Sequence, residues 1–144
     1  MQAALSHTIS GRRTEHPAAV LSGLTVSTPD GRPHSRRWDG LIDTGSDFSV
    51  LPNAIVEDLR LTTYGELVRV RGYRKDERPR ELAIYRVKLG LPLGLIITTK
   101  AITAERRNIL IGRSALQQMR LTIDWPANWW SLEEVTLPKV PPPR

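Results

Sequence analysis

The sequence predicts an all-β, barrel-like domain carrying one or two short helices. Three observations lead there. Short runs rich in Val, Ile, Leu and Thr recur along the 144 residues, and such runs suit half-buried strands. Gly, Pro and Asp punctuate them at turn-like intervals. Only two segments space their apolar side chains as a helix would. With 40% apolar residues the chain can bury a core, and its length suits one domain.

Taken in order, residues 1–17 are polar, show no sustained period and read as an N-terminal tail. The folded domain is expected over 18–133. Residues 18–28 read as a strand, Pro29-Asp30-Gly31 as a turn with glycine in the left-handed position, and 38–42 as the returning strand of a hairpin. Residues 48–51 are extended, and Pro52 introduces a helix over 53–59 whose Ile55, Val56 and Leu59 share a face. Residues 66–71 and 81–89 read as two further strands around a charged loop, 72–80. Residues 93–99 and 108–111 are apolar strands, and Gly112 breaks the second one. A helix of about two turns is expected over 113–119, then strands over 121–124 and 129–133. Residues 134–144, with Pro141 to Pro143 consecutive, form a Pro-rich C-terminal tail.

Composition removes several function classes. There is no cysteine, so disulfides and thiolate metal sites are out. No apolar run approaches the roughly 18 residues of a membrane span, and residues 1–16 lack the order of a secretory signal. Together these favour a cytoplasmic location. The net charge of +6 raises the question of nucleic acid. However, the basic residues fall in separate segments, 12–13, 32–37, 69–80 and 106–107, without aromatic interleaving or a zinc knuckle, and read as solvated surface. His7, His16 and His34 do not cluster and read as surface histidines, not as metal ligands or bases. No metal and no cofactor is expected.

Chemistry concentrates in Leu41-Ile42-Asp43-Thr44-Gly45-Ser46. An apolar strand delivers an aspartate onto a turn with a hydroxyl and a glycine behind it. Hydrolysing a peptide without metal or covalent intermediate needs a carboxylate to activate water and a second acid to polarise the carbonyl. Two aspartates held close share one proton and supply both. Glycine lets the chain approach a partner closely, and the Thr44 hydroxyl can brace the turn. Asp-Thr-Gly alone arises by chance roughly 3% of the time in a chain of this length, so the motif needs company; by itself a solvated β-turn explains it equally well.

That company is Asn108-Ile109-Leu110-Ile111-Gly112-Arg113-Ser114-Ala115-Leu116. Here the sequence resembles the retroviral-type (retropepsin-like) aspartic proteases, in which an apolar-apolar-Gly segment passes under the catalytic turn and enters a short helix. The order of parts also matches over roughly residues 18–124. The resemblance implies a closed-barrel acid-protease fold, with Asp43, Thr44 and Gly45 as the catalytic turn and Ile111, Gly112 and Arg113 as its structural support. It further implies that Asp47 binds substrate backbone and pairs with Arg113 in a partly buried, bidentate ion pair. Ser46 would line the same site, its hydroxyl able to donate to Asp43 and favour its ionised form. The hairpin over about 66–89 would be a flap closing on bound peptide, its tip near Arg71-Gly72-Tyr73.

Asp43 is the one aspartate followed by Thr-Gly, and no internal repeat supplies a second lobe. One carboxylate cannot be base and acid at once, so the reading requires a C2 homodimer acting on a peptide or protein substrate. The tryptophans Trp125, Trp129 and Trp130 are either interface anchors or core. Two rival functions fit the same sequence: a non-catalytic dimeric peptide-binding or assembly module of the same fold, and a basic nucleic-acid-binding β-barrel.

Overall fold

A computed structural model describes residues 8–12, 19–63, 65–70 and 78–135. Eleven strands and two α-helices are present among them: β1 (Thr8–Arg12), β2 (Val20–Ser27), β3 (Trp38–Ile42), β4 (Ser49–Pro52), α1 (Asn53–Leu59), β5 (Leu67–Val70), β6 (Arg80–Ala83), β7 (Tyr85–Gly90), β8 (Ile96–Ala104), β9 (Ile109–Ile111), α2 (Arg113–Leu116), β10 (Met119–Asp124) and β11 (Trp129–Glu134). Six strands close into a barrel in the order β2-β3-β9-β4-β8-β7, β1-β11-β10 form a separate sheet, and β5-β6 form a two-stranded hairpin. The all-β barrel expected from the sequence is the fold.

Closure of the barrel leaves its strands no free edge and turns their inward side chains onto one core. Leu24, Val26, Leu51, Val87, Leu89, Ile109 and Ile111 fill it, and Ile55 of α1 plugs one side. Each such side chain contributes about 1.5–3 kcal/mol by leaving water. The β2–β3 hairpin forms as the sequence suggests. Gly31 takes a φ of 93° and donates its N–H to Thr28 O at 2.9 Å. At the same turn the Thr28 hydroxyl donates to the Asp30 carboxylate and is the main reason its pKa is lowered.

Several expectations need correction. Within the segment read as a polar tail, Thr8–Arg12 is a strand, paired antiparallel to β11 with Ile9 opposite Leu132. It offers a single buried apolar side chain, Ile9, too little to make a period visible. The arm expected over 81–89 breaks at Ile84, where the chain leaves the hairpin for the barrel and the Ile84 N–H bonds Glu66 O at 3.1 Å. Its two occupied faces serve two cores. Val87 and Leu89 enter the main one, while Leu82 and Ile84 join a second cluster with Val50, Ile102, Val68, Val70 and Leu110. The strand expected over 93–99 starts later and runs on to Ala104. Pro92 and Gly94 hold Leu93 in a turn, at φ 63°. The second helix makes one turn only, because Met119 is already paired with Glu134 in the β10–β11 hairpin.

His34 is no surface histidine. It is 8% exposed, its Nε2 lies 2.9 Å from Asp58 Oδ2, and its Nδ1 accepts the Arg36 N–H at 3.0 Å. With Nδ1 accepting, Nε2 carries the proton and ties the β2–β3 loop to α1. His7, His16 and the tail beyond residue 135 lie outside the described residues. Of the tryptophans, Trp130 is core at 2% exposure, while Trp125 and Trp129 are exposed at the β10–β11 turn. No helix among the described residues is long and apolar enough to cross a membrane.

Candidate active site

Two parallel strands fix the Asp-Thr-Gly turn. β3 and β9 run side by side with Gly40, Leu41 and Ile42 opposite Ile109, Leu110 and Ile111. The Asp43 N–H extends this ladder by one bond, to Ile111 O at 2.9 Å. Both apolar motifs read from the sequence therefore lie in one layer and end together, one at Asp43 and the other at Gly112.

The turn closes on its own carboxylate. Gly45 N–H donates to Asp43 Oδ1 at 3.0 Å, and the Ser46 N–H reaches Asp43 O at 3.4 Å. Asp43 is half-buried, whereas Thr44 and Gly45 are exposed, so the carboxylate stands at the surface on a backbone that is tied down. The strand from β9 then passes beneath. Arg113 N–H donates to Ser46 O at 2.8 Å and Ser114 N–H to Asp47 O at 3.0 Å. Gly112 is required for this crossing, because a Cβ there would lie 2.2 Å from Phe48 O and 2.9 Å from Ser46 O. Those are backbone atoms and cannot move aside.

The Asp47–Arg113 ion pair inferred from the resemblance is present, through Arg113 Nη2 and Asp47 Oδ1. It differs from expectation in two respects. The side chains are 58% and 72% exposed, not partly buried, and the second guanidinium nitrogen turns to Thr44 O at 3.3 Å instead of the carboxylate. Being exposed, the pair contributes at most about 1 kcal/mol; its geometric role is to staple the far side of the turn. The Ser46 hydroxyl donates to Phe48 O at 2.6 Å, so its proton is committed to the backbone and not to Asp43. Arg71, Gly72 and Tyr73, the expected flap tip, lie outside the described residues.

A support that the sequence reading missed sits behind the turn. Ser49, Thr99 and Ser114 come from β4, β8 and α2, and their hydroxyls form a chain. The Ser114 and Thr99 hydroxyls both reach Lys100 O, at 2.9 Å and 3.0 Å, and stand 2.8 Å from each other. Thr99 Oγ1 also lies 3.0 Å from Ser49 Oγ. Ser49 Oγ accepts the Gly112 N–H at 3.2 Å, and Ser114 Oγ accepts the Ser49 N–H at 3.3 Å. Every hydroxyl is satisfied, so this buried polar cluster stabilises where an incomplete one would cost. The available signal was Ser49 itself, a polar residue inside the run Phe48-Ser49-Val50-Leu51.

Over this floor lies the β5–β6 hairpin. Val68, Val70 and Leu82 pack on Val50, Ile102 and Leu110 of the barrel. At its base Glu66 accepts from Lys100 Nζ at 3.2 Å and Arg86 at 3.5 Å. A concavity of about 670 Å³ opens elsewhere, lined by Ile96, Lys100, Gln117, Met119 and others, but no residue of the 43–47 turn borders it. Among the described residues no three His, Asp or Glu side chains group closely enough to hold a metal ion.

No family model matches the sequence, nor does any curated protein. Solved structures do. The fold is similar to a retropepsin-like aspartic protease from Rickettsia conorii, with TM-score 0.60 at 15% identity over 90% of this chain and 92% of that one. It is also similar to the simian foamy virus protease, with TM-score 0.50 at 12% identity over 69% and 92% of the two chains. At such identities the likeness establishes the retropepsin-like fold and nothing finer.

Proposed function

Starting from a retropepsin-like fold, we propose that this chain is one subunit of a homodimeric aspartic endopeptidase whose catalytic dyad is Asp43 and its symmetry copy. The observation that carries the reading is a surface carboxylate on a rigid turn, one oxygen held by the Gly45 N–H at 3.0 Å, in a chain with no second Asp-Thr-Gly. The half-site is built, and one chain does not complete it. A two-fold axis beside the turn supplies the missing acid.

In the dimer the two carboxylates share one proton, since both cannot ionise at close range. The ionised one takes a proton from the water between them as its oxygen attacks the peptide carbonyl carbon. The protonated one donates to the carbonyl oxygen, giving a neutral gem-diol. Return of a proton to the amide nitrogen then breaks the C–N bond and releases amine and acid. Thr44 and Gly45 hold the turn's shape. Ser46 and Asp47 lie beside it where substrate backbone would run, and Asp47 keeps a free lone pair beside its bond to Arg113. The β5–β6 hairpin covers an extended peptide bound by strand-like hydrogen bonds.

The test is hydrolysis of a denatured protein mixture from about pH 4 to about pH 8, with wild type against Asp43→Asn. Cleavage by wild type alone, blocked by a statine whose hydroxyl mimics the tetrahedral species, is the expected result. Intact substrates with a dimeric wild-type protein at every pH would reject it.

A further inference from the structure

Two of the four basic segments, distant in sequence, meet in the fold. β3 and β9 are parallel, β4 is antiparallel to β9, and β8 is parallel to β4. The starts of β3 and β9 and the ends of β4 and β8 therefore share one end of the barrel. That end lies about five residues of strand, roughly 16 Å, from Asp43. Here Arg36 and Trp38, Pro52 to Ala54, and Glu105 to Arg107 surround a concavity of about 380 Å³.

The arginines are prepared for a ligand to different degrees. The Arg36 guanidinium carbon lies 4.1 Å over the Trp38 ring, a cation–π contact that holds the side chain at the rim. Arg106 is braced on Asn108 through Nε and Nη2. Arg107 is exposed. None of the three has a carboxylate partner among the described residues, whereas Arg69, Arg86, Arg113 and Arg120 all do.

We propose that this arginine rim is a docking site for acidic side chains of a bound peptide, outside the cleavage centre. This extends the peptidase reading and rests on it for the identity of the peptide as substrate. The rim is continuous with the covered face, since Ala104 packs in the second apolar cluster beneath the hairpin and Glu105 is the next residue. A peptide leaving that face in extended form runs out over the arginines. A nucleic-acid backbone fits less well. Glu105 interrupts the positive track, and Trp38 is 5% exposed beneath Arg36, so no aromatic platform remains for base stacking.

The experiment uses the full-length Asp43→Asn protein, in which a peptide stays uncut, so binding is read apart from hydrolysis. A fluorescent apolar peptide ending in four glutamates is titrated by anisotropy against its four-glutamine version, at low and physiological salt. The glutamate peptide should bind more tightly, and adding Arg36→Gln with Arg107→Gln should weaken it by about tenfold or more. Arg107→Gln alone, which disturbs no packed ring, should give part of that loss, and Arg120→Gln, on the separate sheet, none. Equal binding of the two peptides, or no change in the double variant, would overturn the proposal. So would displacement by a single-stranded oligonucleotide of matched charge at lower concentration than the peptide. If wild type proves inactive but these differences hold, the rim stands and the peptidase reading falls.

Discussion

The Asp-Thr-Gly turn and the β5–β6 hairpin are held by different means. The turn is tied from below by backbone bonds from Asp43, Arg113 and Ser114 and by the closed hydroxyl chain of Ser49, Thr99 and Ser114. The hairpin is a two-stranded sheet apart from the barrel, with Leu67 63% exposed. A small apolar cluster and the exposed ion pairs of Glu66 anchor it. Isolated hairpins are marginal in water, and exposed ion pairs add little. The difference teaches a division of labour. On the proposed function, chemistry would need a carboxylate that does not move, and access of a peptide a cover that does.

Breaking the rigid half should have the larger effects. Asp43→Asn should lower peptidase activity by on the order of 10³-fold or more with an unchanged circular dichroism spectrum. Gly112→Ala should destabilise by about 3 kcal/mol, because the new methyl meets the Phe48 carbonyl, measured as a shift of the urea midpoint with activity lost in parallel. Ser114→Ala removes the hydroxyl that accepts the Ser49 N–H, while Thr99 keeps Lys100 O, and should cost about 1–3 kcal/mol. The hairpin should respond differently. Glu66→Gln should change global stability by less than about 1 kcal/mol while amide exchange over residues 68–70 speeds up. If Glu66→Gln instead matched Ser114→Ala in global cost, the hairpin would belong to the rigid unit and the contrast would fail.

How much of this was legible beforehand follows the same division. The barrel and the turn could be read because their causes are local: alternating apolar residues, Pro29-Asp30-Gly31, and a glycine where two strands cross. The pairing of Asp47 with Arg113 came from the resemblance, but its exposure did not, since burial depends on what surrounds the turn. What escaped was set by distant partners. Thr8–Arg12 becomes a strand because β11 offers an edge, and the helix at Arg113 stops after one turn because Met119 has a partner in Glu134. His34 is buried because Asp58, 24 residues on, accepts a hydrogen bond from it. The hydroxyl chain joins three residues up to 65 apart, and no spacing rule reaches that far. The arginine rim is the same case, two basic loops joined only by the parallel pairing of β3 and β9.

In the proposed enzyme each active site draws one aspartate from each of two chains, and subunit mixing tests that most directly. Wild type and Asp43→Asn are combined at constant total protein, allowed to exchange subunits, and assayed. Activity should fall as the square of the wild-type fraction, so that an equimolar mixture keeps about a quarter of it. A linear fall, with about half remaining, would mean that each chain acts alone, and about three quarters remaining would mean that one Asp43 per dimer suffices; either contradicts a shared dyad.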